Sequence, residues 1–259
     1  MTKAESKVID FIKKHILLFL LVAVTIIAIF LRVCGMDFQS DDFNSFLNSW
    51  WSIIKLNGFT GLATQVGNYN IPYQIIIYLM TLLPLNALYA YKIVSIIFDF
   101  VLAISTAMLV YSFAKNNRRL KAILTYSAVL LSATVIFNSS FWAQCDSIYT
   151  SFIILAILFL HKDKPIASFV FIGIAFAFKL QTVFIIPVML YYWISTKKIS
   201  ILHFFIIPAL DVIMCLPAII MGRPFIDIIT IYAEQTDYGQ LIQMSCPNFY
   251  ALICDGNDI

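Results

Sequence analysis

Charged residues are scarce in this 259-residue chain: only 12% are Asp, Glu, Lys or Arg, whereas 61% are hydrophobic, and the mean hydropathy is +0.90. A soluble domain carries charge on about a quarter of its residues. Several separate apolar runs approach the length that crosses a hydrocarbon core of about 30 Å. The composition excludes an ordinary soluble enzyme and predicts an all-α, polytopic membrane protein.

Glycine, metal-ligand clusters and nucleic-acid signals are also scarce. The chain has 8 glycines and no visible inverted repeat. No basic patch is interleaved with aromatic residues, so no nucleic-acid partner is expected. The cysteines form no C-x-x-C pair and have no histidine at metal-binding spacing: Cys34, Cys145, Cys215, Cys246 and Cys254. Cys246 and Cys254 could pair, but isolated small side chains are the simpler interpretation.

Seven apolar segments are predicted to cross the membrane: 16–33, 92–113, 119–137, 147–161, 165–178, 181–195 and 199–220. The first follows Lys13 and Lys14, but no small-residue cleavage site comes after it, so it is expected to be a retained span. The region 165–195 could also be one long tilted helix interrupted by Lys179. Two short spans meeting at Lys179-Leu180-Gln181 are preferred, because they keep the flanking lysines on one side.

The distribution of lysine and arginine predicts the orientation. The segment 71–90 is apolar but contains Pro72, Pro84 and Asn86, and its path decides which side every later loop faces. If it crossed, 7 basic residues would lie inside and 10 outside; if it is re-entrant or interfacial, 12 of the 17 lie inside. The positive-inside rule favours the second arrangement. It predicts a single module, 1–259, in the plasma membrane, with a cytoplasmic N-terminus and a C-terminal segment, 221–259, outside.

The first outer loop, 34–91, is predicted to contain an interfacial helix. Ser40 or Asp41 is a suitable N-cap, and Asn57-Gly58 is a natural stop. The apolar residues recur at i, i+3, i+4, i+7, i+8 and i+11: Phe43, Phe46, Leu47, Trp50, Trp51 and Ile54. An amphipathic helix with two tryptophans is expected to lie in the interface plane. Asp41 and Asp42 are thereby placed at the outer surface.

Polar groups at the ends of spans or within them suggest function. An ionisable group there costs about 2.5–3.5 kcal/mol, so Asp99, Asp146 and Lys179 are expected to be paired or functional. Structural alternatives stay open for each carboxylate. Asp41 and Asp42 could serve the helix dipole, Asp146 could be an N-terminal helix acid, and Asp99 could make a packing contact with Lys92, two turns away. For Lys179 an anionic partner is favoured.

Five short motifs follow one another on the predicted outer face: Ser40-x-Asp42-Phe43, Gly67-Asn68-Tyr69-Asn70-Ile71-Pro72-Tyr73, Trp142-x-Gln144-x-Asp146-Ser147, Phe178-Lys179-x-Gln181 and Pro247-Asn248-x-Tyr250. From about residue 30 to the C-terminus, this order resembles the bacterial mannosyltransferase-like membrane proteins related to the GPI mannosyltransferase II group. That group belongs to the GT-C superfamily of glycosyltransferases, which use polyprenyl-phosphate sugars.

The resemblance implies a GT-C-like core of about seven spans with interfacial helices in the first outer loop. It also implies a catalytic acid in that loop. Because such proteins usually extend well beyond this length, with further spans, the sequence is expected to be a truncated or fragmentary member.

The expected reaction is inverting transfer of a sugar, a mannose-like hexose in the family, from a polyprenyl-phosphate donor to an acceptor hydroxyl. Asp42 is the expected general base, with Asp41 or Asp146 orienting it, holding the sugar or binding metal. Whether a divalent cation binds to Asp41, Asp42 and Asp146 is left open. Lys179 and Arg223 are the expected partners of the leaving phosphate. The full set of expected substrate-binding residues is Asn68, Asn70, Tyr73, Gln144, Asp146, Lys179, Gln181, Arg223 and Asn248.

Two other classes remain as alternatives. A transporter or flippase for a lipid-linked or anionic solute would place polar residues at the bilayer midplane and use broken helices and inverted repeats. A non-catalytic membrane assembly subunit is the second. The acceptor, whether glycan, lipid or protein, is not indicated by the sequence.

Overall fold

A computed structural model describes residues 1–234, and in that range the chain is helical throughout, with no strand. The α-helices are α1 (Lys3–Val33), α2 (Asn48–Asn57), α3 (Ile71–Thr81), α4 (Ala87–Phe113), α5 (Arg118–Leu130), α6 (Ala133–Ile136), α7 (Asp146–His161), α8 (Pro165–Phe178), α9 (Ile186–Thr196), α10 (Ile206–Ile220) and α11 (Phe225–Glu234). Two π-helical segments, Phe43–Leu47 and Phe137–Phe141, precede α2 and follow α6. There are three 3₁₀ segments in this range. Gly58–Ala63 follows α2, Leu180–Ile185 precedes α9, and Ile201–Phe205 precedes α10.

Among the described residues, three helices are long and apolar enough to cross a membrane: Lys3–Val33, Ala87–Phe113 and Ile201–Ile220. A fourth crossing results if Arg118–Leu130 and Ala133–Phe141, bent by 51°, form one broken span. Shorter apolar helices of 10–17 residues occupy the remaining predicted spans and the 71–81 segment. Large apolar side chains point outward along α1, including Ile26 (62% exposed) and Phe30 (65%). These helices are compatible with a membrane protein.

The structure corrects two of the predicted segment boundaries. The predicted span 119–137 is not straight, because α5 ends at Leu130 and the chain bends before α6. The segment 71–90 is not one element: α3 ends at Thr81, and α4 already begins at Ala87 rather than at 92. Asn86 causes the early start, since its side chain accepts a hydrogen bond from the Tyr89 N–H at 2.9 Å as an N-cap.

The structure divides the region 165–195 into two helices. Helix α8 ends at Phe178, and Lys179 is extended, with φ −154° and ψ 131°. A 3₁₀ turn, Leu180–Ile185, then leads into α9. The chain folds back at this point, because Met189 of α9 packs in one apolar cluster with Phe169 of α8. The break places Lys179 at the junction of the two helices, with 17% of its side chain exposed.

Helix α4 is the centre of the bundle and packs between α5 and α7. Helix α8 packs between α7 and α10, and α1 packs along α5. A separate apolar cluster joins the amphipathic helix, α3 and the start of α4 at one end of the bundle. That end carries the candidate site.

A buried ion pair joins the helices below that end. Arg32 of α1 donates its Nε–H to Asp99 of α4 at 2.9 Å, and both side chains are at most 1% exposed. Ser139 and Ser147 donate to the two carboxylate oxygens at 2.5 and 2.6 Å. Arg32 also donates to the carbonyl of Leu130 at 3.0 Å, which satisfies the end of α5 at the bend. Asp99 therefore contacts Arg32, not Lys92 as the sequence suggested.

Lys92 instead fixes the loop after α1. Its buried ammonium group donates to the carbonyls of Gly35 (2.7 Å), Met36 (3.0 Å) and Phe38. A lysine ammonium has three donors, and here all three are used. This contact holds the start of the 34–91 loop against α4, and so it fixes the position from which Asp42 projects.

Candidate functional site

The amphipathic helix begins where the sequence predicts. Ser40 Oγ accepts the Phe43 N–H at 3.2 Å, the bond that an N-cap makes. Of the predicted apolar face, Phe46 alone is exposed, at 51%, while the rest of that face is buried. The helix ends at Asn57, and Gly58 adopts φ 60° and ψ −149°, a conformation that is open essentially only to glycine. Its first turn presents Asp41 to solvent and leaves Asp42 half-buried.

Asp42 is the first member of a chain of side-chain hydrogen bonds. Gln144 donates from Nε2 to Asp42 Oδ2 at 2.6 Å. The same amide accepts, at Oε1, the hydroxyl proton of Tyr69 at 3.2 Å. Because both ends of the amide are occupied, its orientation is fixed. These bonds link Asp42, in the first turn of the amphipathic helix, to the turn before α7 and to the 64–70 loop.

Irregular backbone positions Gln144. The π segment Phe137–Phe141 ends α6, and Ala143 then takes a left-handed conformation, φ 57°, while fully buried. Such a conformation is costly for a residue with a Cβ and often marks a functional site. Ser40 Oγ donates to the Trp142 carbonyl at 3.2 Å, so the two loops are joined directly. Both π segments of the described chain thus adjoin Asp42 or Gln144, in keeping with the frequency of π-bulges at functional sites.

Lys179 and Asp146 form an ion pair beside this chain. The second oxygen of Asp146 accepts the amide of Asn138 at 2.8 Å. The ammonium group also lies over two aromatic rings, 5.5 Å from the centroid of Tyr69 and 5.7 Å from that of Tyr149. Lys179 keeps 17% of its side chain exposed, and Asp146 keeps 36%. The pair is therefore open to a solute on one side.

Two adjoining cavities give access to these groups. One, of about 220 Å³, is lined by Asp42, Gly67 and Trp50 among others. The other, of about 430 Å³, is lined by Asp146, Lys179 and Gln181. They share three lining residues, Asn68, Tyr69 and Gln144. A ligand with a charged group at one end and hydroxyl groups at the other could occupy both.

The charge states follow from the surroundings. Burial lowers the pKa of Lys179, but the Asp146 carboxylate paired with it raises that pKa, and the net shift is above the ordinary lysine value. Burial raises the pKa of Tyr69 above its ordinary value, and burial likewise raises the pKa of Cys145 to about 11. At neutral pH the site holds a permanent cation, a neutral phenol and a neutral thiol.

Four of the predicted residues lie elsewhere in the described chain. Asp41 is exposed and lines neither cavity. Tyr73 is buried in the apolar cluster. Asn70 caps α3 and donates to Asp211 at 3.0 Å. Arg223 is buried and donates to Gln74 at 3.4 Å, so it does not join Lys179.

The remaining predictions concern metal, Asn248 and the cysteine pair. Within residues 1–234, no three His, Cys, Asp or Glu side chains come together as a metal site, so Asp41, Asp42 and Asp146 do not form one. Asn248, Cys246 and Cys254 lie outside the described residues. Asp42, Asn68, Gln144, Asp146, Lys179 and Gln181 are the predicted residues that line the cavities.

Sequence reasoning missed Tyr69, Asn138 and the role of Gly67. Tyr69 stands between two residues that were selected, and aromatic side chains are too common here (15%) for one to be singled out. Asn138 donates to Asp146, which lies eight residues further along the chain, across the irregular turn. Only the folded turn brings them together.

No protein-family model, no curated protein and no solved structure matches this chain.

Proposed function

We propose that the chain is a membrane glycosyltransferase that moves a sugar from a polyprenyl-phosphate donor to an acceptor hydroxyl, with inversion at the anomeric carbon. The observation that supports this most directly is the placement of Asp42 and Lys179 on adjoining cavities with shared walls. A carboxylate and a cation so placed suit the two ends of a glycosyl transfer. The GT-C-like order of motifs supports the same reaction.

Asp42 would be the general base. Its carboxylate accepts the proton of the acceptor hydroxyl while that oxygen attacks the anomeric carbon. The bond from the anomeric carbon to the phosphate oxygen breaks, and polyprenyl phosphate leaves. Gln144 holds Oδ2 of Asp42, so Oδ1 is the oxygen that faces the acceptor.

Lys179 would stabilise the leaving phosphate, whose negative charge grows as the bond breaks. The raised pKa of Lys179 keeps it protonated throughout the neutral range. In the structure Asp146 holds this cation in position, and Asn138 holds Asp146. Arg223 has no part in the proposal, because it lies against Gln74. Asn68, Gln144 and Gln181 supply amides for the sugar hydroxyls.

The membrane arrangement belongs to the same proposal. Seven crossings, in which Asp146–His161, Pro165–Phe178 and Leu180–Thr196 span a locally thinned bilayer, would place the site on the extracytoplasmic face of the plasma membrane. The activity would then serve cell-surface glycan synthesis. A divalent cation would have to bind together with the donor phosphate.

The test is transfer of radiolabelled sugar from polyprenyl-phosphate mannose and its hexose analogues to a total membrane extract. Asp42→Asn is expected to lower kcat by about 10²–10⁴-fold, the contribution of a general base. Asp41→Asn is the matched comparison, since it changes the neighbouring carboxylate, which is exposed and lines neither cavity. It is expected to keep most of the activity.

Full sugar transfer by Asp42→Asn would exclude the catalytic assignment. Donor flux across proteoliposomes without sugar transfer would favour the transporter class, for which the 51° break between α5 and α6 is the supporting feature. If the wild-type chain shows no sugar transfer, no donor flux and no donor binding, an assembly subunit would be favoured.

A further inference from the structure

A large cavity lies away from the candidate site, toward the other end of α4. It has a volume of about 680 Å³ and lies between α1, α4 and α5. Its walls are apolar, with Ile104, Ala107 and Met108 on α4 facing Leu21 on α1. The mechanism proposed above does not use it.

A second cavity, of about 450 Å³, continues the first toward the N-terminus of α1. The two share Leu21, Tyr111, Ala122 and Ile123, so together they form one groove between α1 and α5. The groove spans Lys14 to Thr25 on α1. At about 1.5 Å per residue this length is roughly 16 Å, close to half of a hydrocarbon core of about 30 Å. The groove therefore has the depth of one leaflet.

The closed end of the groove is weakly polar and fully bonded. Thr25 donates to the Leu21 carbonyl at 2.8 Å, and its hydroxyl lies 3.0 Å from that of Tyr126. No further polar group is offered there for a headgroup. The apolar walls above suit hydrocarbon chains.

The open end is basic. Lys14, Arg118, Arg119 and Lys162 line it, and no acidic residue lines either cavity. Arg118 is held in position, because its Nε–H donates to the Tyr111 carbonyl at 2.9 Å and its guanidinium lies 4.4 Å from the Tyr111 ring. Basic pockets between transmembrane helices on the cytoplasmic side bind anionic lipid headgroups.

We propose that this groove binds one anionic phospholipid from the leaflet opposite the candidate site, with its phosphate at the basic end and its acyl chains along the apolar walls. In the orientation proposed above, that leaflet is the cytoplasmic one. Anionic charge complements the basic rim, and a single-leaflet depth excludes a spanning peptide. The site is independent of sugar transfer, so either proposal can fail alone.

The test is native mass spectrometry of the full chain in detergent, titrated with phosphatidylglycerol or with phosphatidylcholine of the same acyl chains. The first phosphatidylglycerol is expected to bind about tenfold more tightly than the first phosphatidylcholine, because only its headgroup carries a net negative charge to the basic end of the groove. Lys14→Gln with Arg119→Gln removes two of the four basic side chains and should lower this preference at least threefold.

Two control variants make the test specific. Lys13→Gln with Lys121→Gln removes the same charge from neighbouring positions that do not line the groove, and it should keep the preference. Ala122→Phe, which fills the groove without changing charge, should weaken binding of both lipids at least tenfold. Ala128→Phe, on the exposed side of α5, should not.

The proposal is overturned if the wild-type chain binds both lipids equally or if the two charge variants behave alike. Equal effects of the two phenylalanine variants would also overturn it. Displacement of bound phosphatidylglycerol by millimolar glycerol phosphate would show a free-phosphate site in place of a lipid site.

Discussion

Buried charged side chains in this chain have two kinds of surroundings. Arg32 and Asp99 lie in a network with two serines, at most 1% exposed and lining none of the cavities described above. Asp42 and Lys179, by contrast, line cavities and keep exposed surface. A buried ion pair sealed from solvent holds helices together, whereas a partly open charge is available to a ligand.

The sealed pair should be essential for stability. Asp99→Ala leaves Arg32 buried without its partner and is expected to cost about 3–5 kcal/mol, measured by SDS-induced unfolding in mixed micelles. Arg32→Met combined with Asp99→Leu should recover much of that loss, because no charge is left unpaired. Asp163→Ala breaks the exposed pair with Lys198 and should change little. Equal losses from Asp99→Ala and Asp163→Ala would show that burial does not matter.

At the scale of the element, the amphipathic helix is positioned by a close approach of backbone to an aromatic ring. Gly67 adopts φ 71°, and a Cβ there would lie 2.2 Å from Cε2 of Trp50. Both residues line the cavity of Asp42. The helix and the 64–70 loop can therefore meet only if residue 67 has no side chain.

Replacement of this glycine should open the site. Gly67→Ala forces Trp50 to move and is expected to cost about 3 kcal/mol or more, combining left-handed strain with overpacking, with loss of donor binding. Gly58→Ala is the matched control, since Gly58 has φ 60° but open space around its Cβ position. Backbone strain alone, about 1–3 kcal/mol, is expected for Gly58→Ala. The stability of each variant is measured by thermal unfolding in detergent, and its donor affinity is measured separately. Similar losses for Gly67→Ala and Gly58→Ala would contradict the role of the Trp50 contact.

At the scale of the whole molecule, the proposed orientation places the candidate site outside and the basic groove inside. Cys34, which follows α1, is exposed, whereas Cys145 and Cys215 are buried. Burial raises the pKa of Cys145 to about 11, so little of this thiol is in the reactive thiolate form at neutral pH. Cys34 is thus a reporter for one side.

A membrane-impermeant maleimide should label Cys34 in intact cells, in a chain that carries Cys246→Ser and Cys254→Ser. Asn116→Cys, in the exposed loop between α4 and α5, should be labelled only after the membrane is permeabilised. The reverse pattern would invert the orientation and, with it, the leaflet assigned to the lipid groove.

The helical class, the approximate positions of most helices and the amphipathic helix from Ser40 to Asn57 could be predicted from the sequence alone. These features depend on hydrophobic periodicity, caps and the cost of charge in apolar surroundings, which are local properties of the chain. The break between α8 and α9 at Lys179 is predicted for the same reason. The sequence also selected Asp42, Gln144 and Lys179, since polar residues in an apolar chain are few.

Tertiary structure alone decided which polar residues share a site. Arg223 and Lys179 have the same charge and both follow apolar helices, yet Arg223 bonds to Gln74 and Lys179 to Asp146. The bend after α5 depends on Arg32, about a hundred residues distant in the chain, reaching the Leu130 carbonyl. Such pairings depend on how helices pack, and helical periodicity specifies which face is apolar but not which neighbour that face meets.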